Sequence, residues 1–265
     1  MEWGTVSIAS MSAMLFTLVV SIGLPVVLLI LIRIKTKARI SSFFIGCGIF
    51  IVFALILEQI LHTVVFTAAG SILQGNIFLY GLYGGLAAAL FEETGRFIAM
   101  KFCMKKCLDR GNALMYGAGH GGIEAILLVG LTYISNIITS MMINNGSMQQ
   151  IMALLDPSLQ EENYNQLQVL WQLPAYQFCL GGVERVFAIV LQICLSVFMY
   201  QAVKTGQKKY LAVAFLLHFI VDFLTVVTTG LGLPLWAVEL EVLVLTAGIA
   251  VYAAKLYKAD GNVNF

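Results

Sequence analysis

The sequence predicts an all-α, polytopic membrane bundle of about seven spans, with its N-terminus outside and its C-terminus cytoplasmic. Three observations predict it. Of the 265 residues, 60% are hydrophobic and 11% charged, too apolar a balance for a soluble domain of this length. The apolar residues fall into runs that reach the ~20 residues a helix needs to cross a bilayer. The basic residues gather in alternate connections, as the positive-inside rule requires.

The runs cover roughly 6–32, 41–66, 76–102, 112–143, 169–203, 210–229 and 233–254. The first is too long for a signal-peptide core, follows Glu2 and has its basic cluster behind it, so it reads as an uncleaved anchor. Arg33, Lys35, Lys37 and Arg39 follow the first run, Lys105, Lys106 and Arg110 the third, Lys204, Lys208 and Lys209 the fifth, and Lys255 and Lys258 the last. These ends are expected in the cytoplasm. The second and sixth connections are uncharged, and the long polar connection 144–168 carries Asp156, Glu161 and Glu162 and is expected outside. No run shows the ten-residue alternation of a barrel strand, so helices must satisfy the backbone in lipid. The fifth run exceeds one straight crossing, and Pro174 with Gly181 and Gly182 is expected to kink or break it.

No soluble domain or repeat interrupts the chain, so residues 1–265 read as a single transmembrane domain of a multi-pass cell-membrane protein, with its polar core in the spans within 76–229. The net charge of +1 offers no nucleic-acid surface, and the bilayer is the first partner. Cys47, Cys103, Cys107, Cys179 and Cys194 show no metal-knuckle spacing and read as packing thiols.

An ionisable group at mid-bilayer costs at least ~2.5–3.5 kcal/mol on insertion scales, so each such group is a functional candidate. The third span holds Glu92, Glu93 and Arg96, the fourth His120 and Glu124, the sixth His218 and Asp222. Glu92 lies nine residues before Lys101, His120 ten after Arg110 and His218 nine after Lys209. At ~1.5 Å per residue all three sit roughly 14 to 15 Å from the cytoplasmic edge. Three helices thus deliver polar groups to one layer, which predicts a buried polar chamber. Glu92 and Arg96, His120 and Glu124, and His218 and Asp222 are each four residues apart and share a helix face. The two adjacent carboxylates repel in a low dielectric unless Arg96, within reach of either, compensates. Gly117, Gly119, Gly121 and Gly122 surround His120, so a neighbouring backbone or an extended substrate can approach it. Gly81, Gly85 and Ala89 form a small-residue stripe suited to tight helix contact. Glu58, nineteen residues past Arg39, and Glu184, twenty before Lys204, fall about 30 Å from that edge. With His62 and Arg185 they read either as a structural ion-pair network near the outer face or as groups that admit substrate.

Glu92-Glu93-x-x-Arg96, Tyr116-x-x-x-His120 with Glu124, Glu184-Arg185 and His218-x-x-x-Asp222, on separate spans in that order, resemble the CAAX-protease and bacteriocin-processing superfamily of intramembrane proteases. Within it the chain is most similar to the YhfC-type branch of membrane peptidases. Two residues separate Glu93 from Arg96 where the superfamily pattern has three, and Tyr116 stands where it has Phe, which leaves open how Glu92 and Glu93 divide their work.

The resemblance implies an intramembrane endopeptidase acting on a membrane-associated protein or peptide. Glu92 with His120 would activate water, Glu93 and Arg96 would position and tune Glu92, and His218 with Asp222 would support the oxyanion. Glu124, Glu184 and Arg185 would support the site or bind substrate. The superfamily has been described both as zinc-dependent and as glutamate-dependent. The chain has no His-x-x-x-His or His-Glu-x-x-His helix, which favours a glutamate-type enzyme with no cofactor; were zinc present, His120, His218 and Glu92 would be its ligands. Buried Glu, His and Asp also build proton relays, so an ion-coupled transporter is an alternative, as is a non-catalytic scaffold with a neutralised polar core.

Overall fold

A computed structural model describes residues 2–261, and no strand occurs among the described residues. The chain begins with α1 (Ile8–Thr36). It continues through α2 (Ile40–Phe50), a π-helical segment (Ile51–Glu58) and α3 (Gln59–Gln74), which run on as one helix. Next come α4 (Ile77–Ile98), with a π-helical extension (Ala99–Cys103), and α5 (Arg110–Glu124), joined through a third π-helical segment (Ala125–Gly130) to α6 (Leu131–Asn144). The short helices α7 (Ser147–Ala153), α8 (Pro157–Leu167) and α9 (Val169–Gln172) precede α10 (Ala175–Thr205), α11 (Lys208–Gly230) and α12 (Leu235–Gly261).

Among the described residues six helices are long and apolar enough to cross a membrane: Ile8–Thr36, Ile40–Gln74, Arg110–Asn144, Ala175–Thr205, Lys208–Gly230 and Leu235–Asp260. The remaining long helix, α4, has the length but carries Glu92, Glu93 and Arg96. Its sides divide the work. Leu82, Leu86 and Leu90 are exposed along one stripe, as contact with lipid requires, while Gly81, Gly85 and Ala89 are buried. A Cβ on Gly85 would stand about 3.1 Å from the Phe219 backbone oxygen of α11, so this stripe brings two helix backbones together. Asn76 starts α4 by accepting from the backbone N–H groups of Phe78 and Leu79 at 3.0 and 3.2 Å.

Pro174 breaks the fifth run, one of the two outcomes the sequence predicts. It separates α9 from α10, and α10 then runs unbroken through Gly181 and Gly182. The long polar connection 144–168 holds two helices, α7 and α8. Asp156 caps α8 by accepting from the Ser158 N–H at 2.9 Å, with Pro157 pre-set for the first turn. Hydrogen bonds from Ser158 hold the Asp156 carboxyl below its ordinary pKa.

The sequence shows no domain boundary, yet packing divides the chain into two compact units. One comprises the residues up to Gly23 together with Ala125–Arg185, the other Leu24–Glu124 with the residues from Val186 on. In the first, Val6, Met14, Ile143, Leu170 and Phe178 form a core. Asn144 locks the chain start to α6, accepting from Val6 N at 2.8 Å and donating to Val6 O at 2.9 Å. Thr17 and Tyr133 both donate to the Phe178 carbonyl, at 2.6 and 3.1 Å. In the second unit Met100, Met104, Tyr116, Leu195, Phe198, Met199, Ala214 and Val221 belong to the largest core. The α5 glycines are its close-approach points: a Cβ on Gly119 would overlap the Phe43 carbonyl of α2, and one on Gly121 would press on Gln192 and Ile189 of α10. Neighbouring backbones, rather than an open channel, fill the space the glycines leave.

Candidate active site

The second unit gathers its polar side chains from four helices. α4 supplies Glu92, Glu93 and Arg96, α5 Tyr116, His120 and Glu124, α10 Gln192, and α11 His218 and Asp222. Glu92, Glu93, Arg96, His120, Gln192 and His218 are all buried. Arg96 and His120 have no exposed surface at all, so their charges and dipoles are met only by protein groups.

Glu92 is the hub. Its Oε2 lies 2.9 Å from His120 Nε2, accepts from Gln192 Nε2 at 2.9 Å, and stands 3.8 Å from His218 Nε2. Glu93, about 100° round the helix, turns to a different set: its Oε1 is 2.9 Å from His218 Nδ1 and 3.5 Å from Arg96 Nη2. The geometry therefore pairs Glu92 with His120 and Glu93 with Arg96 and His218. Asp222 Oδ2 is 3.4 Å from His218 Nε2. Both nitrogens of His218 thus face carboxylates, which the ring satisfies only by donating on both sides.

The three residues matched by depth in the sequence meet here, and Arg96 and Asp222 meet them. Glu124 joins through Gln192, which donates to its Oε2 at 3.1 Å. Glu184 and Arg185 belong to the first unit, where Arg185 donates to Glu184 in a pair between chain neighbours. Glu58 and His62 belong to the second unit. His62 Nε2 lies 3.2 Å from Glu58 Oε1, and its Nδ1 lies 2.7 Å from the Tyr83 hydroxyl. Glu58 is within electrostatic range of Glu92, His218 and Asp222, closer to the centre than its count from Arg39 suggests. The eight residues Ile51–Glu58 that end at this glutamate are π-helical. The other two π segments start just after Arg96 and directly after Glu124, and such segments are frequent at functional sites.

Gln192 is the functional residue that sequence reasoning missed. Its Oε1 accepts from Arg96 Nη2, its backbone carbonyl accepts from Arg96 Nη1 at 3.1 Å, and its Nε2 serves both Glu92 and Glu124. The signal was present. Gln192 lies twelve residues before Lys204, roughly 18 Å deep and close to the layer of the other three, but a search for charges passes over an amide.

Several buried polar atoms of the site have no hydrogen-bond partner among the described residues: Glu93 Oε2, Arg96 Nε, Tyr116 Oη and His120 Nδ1. An unpaired buried polar group costs about 1–3 kcal/mol, so four in one place mark a centre not arranged for stability alone.

The model of the YhfC intramembrane metalloprotease family matches residues 20–244, which include every group just described. The chain belongs to this family. A relative named "Uncharacterized membrane protein YhfC", from Bacillus subtilis (strain 168), is 36% identical over 233 residues, covering 86% of this chain and 89% of its own. No solved structure matches the chain. Membership, together with the six apolar helices, makes the chain a multi-pass membrane protein.

The family's description implies a metal, and the donors present fit one. Glu92, His120 and Glu124 each offer an atom, and these atoms lie within 4.8 Å of one another. Three protein ligands with a further position left open is the usual set at a catalytic zinc. The set differs in one place from the sequence expectation of His120, His218 and Glu92. Glu124 replaces His218, whose two nitrogens are engaged by Glu93 and Asp222.

Proposed function

We propose that this member of the family is an intramembrane endopeptidase that hydrolyses a peptide bond of a membrane-associated protein or peptide. The observation that carries the reading is the 2.9 Å approach of Glu92 Oε2 to His120 Nε2 inside a buried, four-helix polar centre. A carboxylate and an imidazole so paired can take a proton from water and return one to a leaving amine. Glu93 and Arg96 hold the frame, Arg96 by linking Glu93 to Gln192. His218, anchored on Glu93 through Nδ1, would stabilise charge that develops on the carbonyl oxygen by turning its Nε2 hydrogen from Asp222, 3.4 Å away, to the substrate. A metal ion held by Glu92, His120 and Glu124 would supply Lewis-acid polarisation and a more acidic water. The basic residues at the helix ends nearest the chamber, among them Lys101, Arg110 and Lys209, support cytoplasmic access to it.

One observation favours a second, metal-free reading, in which Glu92 is the base of a glutamate-type enzyme within the wider CAAX-protease superfamily. The Gln192 amide already bridges Glu92 and Glu124 as a neutral donor. The test is incubation of the purified protein with a library of membrane peptides, with and without a strong chelator and with zinc restored. Cleavage lost to the chelator and recovered with zinc supports the metal reading. Cleavage indifferent to the chelator supports the second. No cleavage, with Glu92-dependent ion flux in proteoliposomes, overturns both in favour of a carrier.

A further inference from the structure

Gln192 is nearly fully buried, and the orientation of its amide follows from its neighbours. A guanidinium can only donate and an ionised carboxylate can only accept. With Oε1 toward Arg96 and Nε2 toward Glu92 and Glu124, every contact is favourable; turned over, the amide would set oxygen against two carboxylates and N–H against Arg96. The nitrogen is therefore held between two of the three donors of the candidate metal set, 2.9 and 3.1 Å from their oxygens. Zinc sits about 2.0–2.2 Å from a carboxylate oxygen. A nitrogen atom and a cation cannot share that space. The backbone under Gln192 is fixed as well, because Gly117 and Gly121 of α5 pack directly against it, so entry of an ion has to be accommodated by rotation of the side chain.

We propose that Gln192 is a stand-in for the cation: its amide holds Glu92 and Glu124 in the ion-free protein and turns away when a divalent cation binds them. The inference rests on the metal reading above. On turning, the amide releases Arg96 from Oε1 but leaves it the backbone carbonyl of Gln192, which does not move with the side chain. Gln192 is thus a positioning residue that sets how readily the site takes its ion.

The experiment measures zinc affinity of purified, metal-stripped protein by competition with a chromophoric chelator, alongside thermal unfolding with and without zinc. Gln192→Ala removes the competing amide and should bind zinc tighter by about tenfold, the scale on which groups around metal ligands act. Its Tm should also rise more on zinc addition than that of the wild type. Gln192→Ser keeps a small polar group and carries the same expectation if the alanine variant fails to fold. Zinc binding by the wild type with equal or weaker binding by the folded variants overturns the proposal alone. No zinc binding by the wild type or either variant overturns the metal reading and the proposal together.

Discussion

Two places in this molecule put a carboxylate and a cationic or imidazole partner into apolar helix, and they do it in opposite ways. Glu184 and Arg185 of the first unit are chain neighbours, Arg185 donating to Glu184, and the glutamate keeps about 30% of its side chain exposed. In the second unit Glu92 meets His120 and Gln192, and Glu93 meets His218, across separations of 28, 100 and 125 residues. Bringing distant groups together has an entropy cost that a local pair avoids. The distant set nonetheless leaves four polar atoms unpaired. The second is the arrangement that the proposed chemistry uses, and Glu58 with His62 and Tyr83 is intermediate in kind: mostly local, yet within electrostatic range of the centre.

Substitutions can break or sharpen this contrast. The largest effect is expected from Glu92→Gln, which keeps the shape but removes the base. Peptide cleavage should fall by about 10²–10⁴-fold while the protein remains folded and membrane-inserted. His120→Ala should fall in the same range, measured in the same cleavage assay. Arg96→Leu leaves Glu93 buried without its guanidinium and should destabilise the protein by about 3–5 kcal/mol, seen as a lowered unfolding midpoint in detergent. Asp222→Asn keeps a group beside His218 but weakens its hold on the ring. A fall in kcat of about tenfold, with KM little changed, is expected from the loss of the carboxylate charge that orients the ring. Glu184→Gln should be the mildest, with stability changed by less than about 1 kcal/mol and cleavage near wild type. If Glu184→Gln proved as damaging as Glu92→Gln, local and convergent pairs would no longer be distinguishable.

Much of this centre was legible because helices in lipid make depth countable. Rise per residue and the basic flanks carried Glu92, His120 and His218 to one layer, and the structure brings them into contact. The i, i+4 spacing likewise placed Asp222 against His218. The count failed where its assumptions did. It took charge as the only sign of polarity, and so missed Gln192. It set Glu58 apart from the centre, although Glu58 is within electrostatic range of Glu92, His218 and Asp222. The short helices of residues 147–167 were hidden because polar segments carry no core periodicity, although Asp156-Pro157 was a readable start signal. The division into two units could not be read, since three of the long helices run through both.

The central claim is that the convergent polar centre performs peptide hydrolysis and the local pair does not. The most direct measurement sets purified wild type, Glu92→Gln and Glu184→Gln side by side against one membrane-peptide library, with products read by mass spectrometry. The account predicts cleavage by the wild type and Glu184→Gln and none above background by Glu92→Gln. Cleavage by Glu92→Gln at the wild-type level would contradict it.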